Sequence, residues 1–326
     1  MKLEKTSQLY DQKKSLAFYQ ARYKKGYMDE WPDEKKRKIV EIIHDIKLQP
    51  EGEALDFGCG NGILTEVLRQ AIPSWKIYGT DISKKAIANA RRRYPECIFF
   101  EAGSPDFKQK KFDFVFTNHV FEHVFNLYNV FNDLDEYLKP ESSMLHVLPC
   151  GNKGSFEYNI CILRKDGIDP ELENRFFFED KSHVRRLTTD EFCKLCQTKD
   201  FKLEKEYYSY QFYGAVDWIT TSRPKFVLMF LDASQAINKK AGLMIKIIGI
   251  FLIIITLLRQ PSQIIPKFFT NKKKQFIEYL MFLPELLFFI LSKPIDKYWK
   301  KRAKEEWDQK KHYPNGSEMA LYFKRN

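Results

Sequence analysis

Short apolar runs alternate with amphipathic stretches through the first half of the chain, and each run predicts an element. Residues 33–47, DEKKRKIVEIIHDIK, put Ile39, Ile42, Ile43 and Ile46 at helical spacing, which predicts a helix with one apolar stripe. EALDFGCGNGILTEVLRQA reads as a strand, a glycine-rich turn and a helix. WKIYGTDIS is a second strand that ends on an acid, and SKKAIANARRRY is a helix with Ser83 as its N-cap. CIFFEAG and FDFVFTN are the third and fourth strands, residues 126–138 a helix, and SSMLHVLP the fifth strand. This alternation of strand and helix predicts an α/β fold with a parallel, doubly wound sheet.

The rhythm breaks over residues 150–187, where Gly151, Gly154, Gly167 and Pro170 precede the aromatic run RFFFED. This segment is expected to be an insertion covering the active site. LTTDEFCKLCQTK then predicts a helix, and FKLEKEYYSYQFY one or two closing strands. Two longer apolar runs follow, AGLMIKIIGIFLIIITLL at 241–258 and FIEYLMFLPELLFFIL at 276–291.

Charge changes the picture of those runs. The 326-residue chain carries a net charge of +11, yet residues 1–237 hold 36 basic and 36 acidic side chains, whereas residues 238–326 hold 18 and 7. A nucleic-acid enzyme would carry a basic patch on its main domain, so nucleic acid is not the expected partner. Here the basic residues flank apolar runs instead. Eighteen residues of helix reach ~27 Å, about one bilayer core. A two-span hairpin would export the linker that carries Lys272, Lys273 and Lys274, and a single span would export KYWKKRAKEEWDQKKH. Both conflict with the tendency of basic loops to stay cytoplasmic. The expectation is a re-entrant or interface-lying element, with lysines meeting anionic headgroups at the inner face of the membrane. A helical subdomain packed on itself or on a second copy is the competing reading. The N-terminus, MKLEKTSQLYDQKKS, is polar, so no secretory signal is expected. Six scattered cysteines imply a reducing compartment, and the lone C-x-x-C at Cys193 and Cys196 reads as helix packing.

Two motifs carry chemistry. LDFGCGNG, Leu55–Gly62, sets three glycines directly after a strand, where the backbone can turn tightly and approach a ligand beside the free N–H groups of the next helix. Asp81 closes the following strand, placed to accept hydrogen bonds from ribose hydroxyls; a nicotinamide enzyme would have the same pair of features. The second motif is TNHVFEHV, with His119, Glu122 and His123 at i, i+3 and i+4. On a helix these share one face, which leaves three readings: helix structure, a metal site, or a general base.

The combination of D-x-G-C-G-x-G, G-T-D-I-S and F-D-x-V-x-x-x-x-V-x-E-H-V resembles the class I S-adenosylmethionine-dependent methyltransferases, over about Glu51 to Tyr208. It is closest to the group of ubiquinone-biosynthesis O-methyltransferases and bacterial small-molecule and glycan methyltransferases. The resemblance implies a Rossmann-like, mostly parallel seven-stranded sheet over residues 51–237. An N-terminal helical cap (1–50) and a C-terminal apolar, basic tail (238–326) would flank it. It implies S-adenosyl-L-methionine as cofactor. Asp56, Gly58, Cys59, Gly60, Asn61 and Gly62 would line the methionine part, Asp81 would hold the ribose, Ile82 would lie against the adenine, and Asn118 would sit beside the sulfonium. The family's adenine-binding acid is replaced by EAGSPDF, leaving Ser104 or Asp106 for that contact. Tyr27 or Trp31 would cap the cofactor, unless they form a surface aromatic cluster.

Most members bind no metal at E-H-V. The small-RNA 3′-end methyltransferases show E-x-x-E-H plus a distant histidine; here His119 stands in place of the first glutamate, and His183 is the candidate for the distant one. As bases, His123 or His183 would take an acceptor proton while Glu122 fixes the tautomer. The expected reaction is O-methylation of a small-molecule or lipid-linked acceptor, a glycan sugar or a prenylated phenol. The rivals are an RNA ribose methyltransferase with a metal site and a non-catalytic scaffold.

Overall fold

Alternating burial along the strands builds the sheet. In the computed structural model, which describes residues 30–325 apart from 181, 223 and 271–275, β1 (Glu53–Phe57) sends Ala54 into one apolar layer and Leu55 into another. Successive strand side chains point to opposite faces, so a strand covered on both sides needs apolar residues in both registers. β2 (Lys76–Asp81), β3 (Ile98–Glu101), β4 (Phe112–Asn118) and β5 (Leu138–Pro149) run parallel with it. One layer is made by α1 (Asp33–Asp45), α2 (Ile63–Ala71) and α3 (Lys84–Arg93), whose Ile39, Leu68 and Ile87 pack with Ile77 and Phe114. The other holds α4 (Leu127–Asp135), in which Phe131 and Leu134 meet Val115 and Met144.

After the sheet's fifth strand come α5 (Phe156–Cys161), a small two-stranded ribbon (Ile168–Asp169 with Arg175–Phe176), α6 (Thr189–Gln197) and β6 (Phe201–Ser209). A capping box between Thr188 and Glu191 starts α6, and Cys196 on this helix is simply core. The closing-strand pattern FKLEKEYYSYQFY yields one strand, ended where Tyr210 takes φ 63°. The chain then leaves the sheet through α7 (Tyr213–Thr221), α8 (Pro224–Met229), α9 (Lys239–Thr270) and α10 (Phe276–Lys310), and returns as β7 (Glu318–Arg325).

The sheet therefore has seven strands in the order β3-β2-β1-β4-β5-β7-β6, with β7 antiparallel to both neighbours. The α/β, Rossmann-like, doubly wound expectation is the observed fold. The boundary drawn at 238 is corrected. Residues 238–326 are no separate tail, because their last strand pairs with β5 from Ser143 to Pro149 and with β6 along its whole length. The apolar helices are an insertion between β6 and β7. A periodicity argument could not reach this, since it assigns a strand but not its neighbours.

A third apolar cluster anchors the insertion. Phe176 and Phe178 of the run RFFFED pack with Ile160, Val216, Phe230, Leu252 and Trp299. That aromatic run is thus core, not a cover over the site. The Glu306 carboxylate of α10 accepts N–H bonds from Phe212, Tyr213 and Gly214 at 2.9–3.2 Å, capping α7. Of the expected N-terminal cap, α1 is seen, and residues up to 29, Tyr27 among them, lie outside the described residues.

Candidate active site

The C-terminal ends of β1, β2, β3 and β4 converge where the parallel strand order reverses, the place in such sheets where ligands bind. Gly58 and Gly62 hold φ 80° and 79°, backbone that favours glycine. A Cβ on Gly58 would lie 2.5 Å from the Val120 side chain, so the first glycine lets the loop pass the end of β4. The Gly58 and Cys59 amides donate to the Thr80 carbonyl at 2.8 and 2.9 Å, and the loop is thereby fixed to β2. Asn61 is buried, and its side-chain oxygen accepts from Asn89 of α3 at 3.2 Å.

Asp56 is buried and accepts from the Thr65 hydroxyl at 2.6 Å. Burial pushes its carboxyl up to about 7. Asp81 accepts from the amides of Gly60 and Ser83 at 3.0 and 2.8 Å, and burial raises it to about 6 against those two bonds. Ile82, next in sequence, is 44% exposed. Along this edge Ser104 Oγ after β3 and Asn118 Oδ1 at the end of β4 are buried without a partner among the described residues. Both were sequence-predicted cofactor positions, and each offers an unmet hydrogen-bonding atom to a ligand. Asp106 is exposed.

The segment HVFEHV is not an α-helix. His119 adopts φ 55° while its amide still bonds to the Val147 carbonyl at 2.8 Å, and a single 3₁₀ turn, Phe121–His123, follows. Phe121 anchors that turn between Phe131, His146 and Phe192. The helix starts only at Leu127, with the Asn126 side chain accepting from the Asn129 amide. The helical-face argument for His119, Glu122 and His123 is therefore replaced by a strand end and a tight turn.

His119 is engaged at both ring nitrogens. Nδ1 is 2.6 Å from Glu122 Oε1, and Nε2 is 3.0 Å from Glu318 Oε2. Burial disfavours its charge, but Glu122 and the bond to Glu318 outweigh that and hold His119 above the ordinary histidine range. Glu122 is held down to about 2 despite its burial, chiefly by His119. With a carboxylate on each ring nitrogen, His119 turns neither toward His123 and His183. Trp31 stacks on it with centroids 5.9 Å apart.

His123 lies on the other side of Glu122. Its Nδ1 is 3.3 Å from the Ser182 carbonyl, its ring centroid is 4.7 Å from that of His183, and burial lowers it to about 4, so it is neutral near pH 7. His183 sits in the loop before α6, where the Val184 amide donates to the Glu122 carbonyl at 2.8 Å. One donor atom each from Glu122, His123 and His183 falls within 4.8 Å of the others.

Sequence reasoning missed Glu318, Lys35 and Arg185. Glu318 joins four elements, pairing with Lys35 of α1 and His119 and accepting from the Ser209 hydroxyl at 3.0 Å. Arg185 donates to the carbonyls of Val124 and Phe125, holding the turn from beneath, and pairs with Glu173. No local signal marks a contact between His119 and a residue 199 positions away.

Residues 27–206 match the family described as a methyltransferase domain. The chain belongs to that family. Its sheet, glycine loop and Asp81 are laid out as in the class I S-adenosylmethionine-dependent methyltransferases, and the Ser104 and Asn118 atoms left without partners among the described residues fit a cofactor with a polar group near each. Among curated relatives, the chain is 31% identical over 117 residues to the trans-aconitate 2-methyltransferase of Escherichia coli O157:H7, covering 36% of this chain and 46% of the relative. The chain spans under half the length of that relative. Among solved structures, it is similar to a plantazolicin methyltransferase in complex with a monoazolic desmethyl analogue and S-adenosylhomocysteine, with 15% identity, a TM-score of 0.45, and coverage of 100% and 95% of the two chains. A putative sarcosine dimethylglycine methyltransferase from Galdieria sulphuraria gives 11% identity, a TM-score of 0.45, and coverage of 90% and 85%.

Proposed function

We propose that this methyltransferase transfers the methyl group of S-adenosylmethionine to an oxygen of a lipid-linked acceptor, a surface-glycan sugar or a prenylated phenol, at the cytoplasmic face of a membrane. The observation that carries the membrane part is the outer face of α9. Leu243, Ile247, Ile250, Ile254 and Leu257, spaced to form one stripe, are each 49–61% exposed. They make an apolar row ~21 Å long. Leu286, Phe288, Ile290 and Leu291 of α10 are exposed as well, and Lys239, Lys240, Lys246, Lys293 and Lys297 stand exposed on these two helices. Exposed apolar area rimmed by lysines suits an anionic bilayer surface, at ~1 kcal/mol for each basic residue near the headgroups.

Length and composition alone would let Lys239–Ile265 cross a membrane. The opposite face argues for lying on it. Arg259 is fully buried, with its guanidinium on Asp296 at 2.7 Å, on Thr220 at 2.7 Å, and on Asp217. Two of those partners belong to α7, so α9 is tied at Arg259 to the helix that follows β6. Withdrawing it into lipid would strand buried charges, at ~3–5 kcal/mol for such a broken pair.

In the proposed reaction the cofactor lies across the ends of β1, β2 and β4, with the loop 58–62 along its methionine part and Asn118 near the sulfonium. Asp81 accepts from the ribose hydroxyls, Ile82 meets the adenine face, and Ser104 meets its edge. The acceptor oxygen attacks the methyl carbon in line as the carbon–sulfur bond breaks, giving S-adenosylhomocysteine. The hydroxyl proton leaves toward the Glu122–His123–His183 side of the site. Holding the two reactants in line supplies most of the rate.

The test is flotation of the full chain with phosphatidylglycerol-rich vesicles, comparing wild type with the triple variant Ile247→Glu, Ile250→Glu, Ile254→Glu. Each isoleucine contributes ~1.5–3 kcal/mol on burial, and ~1.4 kcal/mol is tenfold in affinity. Vesicle affinity should fall by at least about a hundredfold while S-adenosylhomocysteine binding persists. A wild type that stays with the soluble fraction, or forms dimers through this face instead, would overturn the membrane reading.

A pH effect follows from Asp81. Its burial-raised value of about 6 means the carboxylate is ionised above that pH and protonated below it. Only the ionised form accepts from both ribose hydroxyls, so S-adenosylhomocysteine affinity should fall as pH drops through about 6. Calorimetric titrations from about pH 8 to about pH 5 would read this; a flat profile would deny Asp81 the role.

A further inference from the structure

The Glu122 side chain has two oxygens in unlike states. Oε1 is taken by His119 at 2.6 Å, and Oε2 is buried with no partner among the described residues, on a residue that is 1% exposed. Unmet buried acceptors are rare and unfavourable. Beside this carboxylate stand the rings of His123 and His183, each presenting one donor atom within the same 4.8 Å set.

The surrounding contacts fix this group in place. The Val184 amide on the Glu122 carbonyl and the His123 ring on the Ser182 carbonyl join the two segments that carry the three side chains. Arg185 reinforces the join through the carbonyls of Phe121, Val124 and Phe125. Further charged groups adjoin them. His119 holds Glu122, and Glu179 Oε2 lies 3.4 Å from His183 Nδ1, with Arg186 Nε 3.0 Å from the other Glu179 oxygen. Carboxylates that orient ligating histidines from behind, and groups that orient ligating carboxylates, are the usual outer partners of a metal centre.

The geometry points to a binding site for one divalent transition-metal ion, with Glu122, His123 and His183 as its protein ligands. His119 is excluded from the ligand set, since carboxylates occupy both its nitrogens. Two imidazoles and one carboxylate suit a borderline ion such as zinc or cobalt, and accept manganese, better than magnesium, which prefers oxygen and octahedral order. Three protein ligands leave coordination positions open, as in catalytic rather than structural sites. When bound, such an ion lowers the pKa of a coordinated acceptor hydroxyl; His123 and His183 then serve as ligands and not as bases. The inference deepens the oxygen-acceptor reading and is independent of the membrane one.

The experiment is calorimetric titration of the full, chelator-stripped chain with zinc, manganese and magnesium ions, with cobalt absorption as a second readout. The variants are His183→Gln and Glu122→Gln, each checked for S-adenosylhomocysteine binding so that a folding defect is seen as such. We expect one saturable site for zinc or manganese, weakened about a hundredfold or more in both variants, weaker magnesium binding, and unchanged S-adenosylhomocysteine affinity. Cobalt spectra typical of nitrogen and oxygen ligation should disappear with them. Cofactor-competent wild type that binds none of these ions, or binds them equally in both variants, would overturn the site. Loss of cofactor binding by the wild type would instead strike at the methyltransferase reading.

Discussion

Replacing Asp81 with alanine should weaken S-adenosylhomocysteine binding by about a hundredfold or more. A hydrogen bond to a charged group contributes ~1.5–3 kcal/mol, and in the proposed pose Asp81 receives two from the ribose. It also accepts from the amides of Gly60 and Ser83, so its removal loosens the glycine loop that faces the methionine part of the cofactor. Asp81→Asn keeps the shape and one acceptor, and should fall between wild type and alanine. Calorimetry on the full chain reads both, with circular dichroism to check that the sheet survives. Affinity in the alanine variant within about threefold of wild type, less than the ~1.4 kcal/mol of a tenfold change, would remove Asp81 from the ribose site.

That prediction rests on features that were legible in the sequence. The strand–turn–helix around LDFGCGNG and the acid ending the next strand are local patterns, and local patterns survive folding: Gly58 and Gly62 take positive φ, and Ser83 caps α3 through the Ala86 amide. Where a pattern depended on distant partners, the reading failed. HVFEHV reads as a helix start because its spacing is helical, but the strand pairing of His119 with Val147 and the burial of Phe121 among aromatic rings decide its backbone. The same distance effect hid Glu318, whose role exists only once β7 lies beside β5.

The apolar runs were the hardest case. Residues 241–258 pass for a membrane span because hydropathy averages over the helix, whereas the structure divides that helix into two apolar faces with different fates. Ala241, Ile245 and Leu252 are buried against protein, while Leu243, Ile247, Ile250 and Ile254 are exposed. Arg259 reads as the basic flank of a span and is instead fully buried, paired with Asp217 and Asp296. A charge that finds partners only in the folded state is invisible to any sum over the sequence.

The position of β7 gives the second large expected effect. A chain ending at residue 237 should fail to fold, although the sequence pattern marks that point as the end of the catalytic domain. Met319, Leu321 and Phe323 are fully buried on one face of β7, and Ala320 and Tyr322 are nearly so on the other. At ~1.5–3 kcal/mol for each large apolar side chain, the strand contributes on the order of 10 kcal/mol before entropy, comparable with the ~5–15 kcal/mol that holds a whole domain folded. Its removal also detaches β6, which touches the sheet only through β7 among the described residues. Glu318 leaves with it, so Lys35 and His119 lose a carboxylate. The truncated chain should therefore show no cooperative urea transition and no S-adenosylhomocysteine binding. A milder probe in the full chain is Phe323→Ala, expected to cost ~3–5 kcal/mol by opening a cavity, read as a lower urea midpoint with an unchanged slope. A truncated protein that unfolds cooperatively and binds S-adenosylhomocysteine would show that residues 238–326 are separable after all, and β7 dispensable to the sheet.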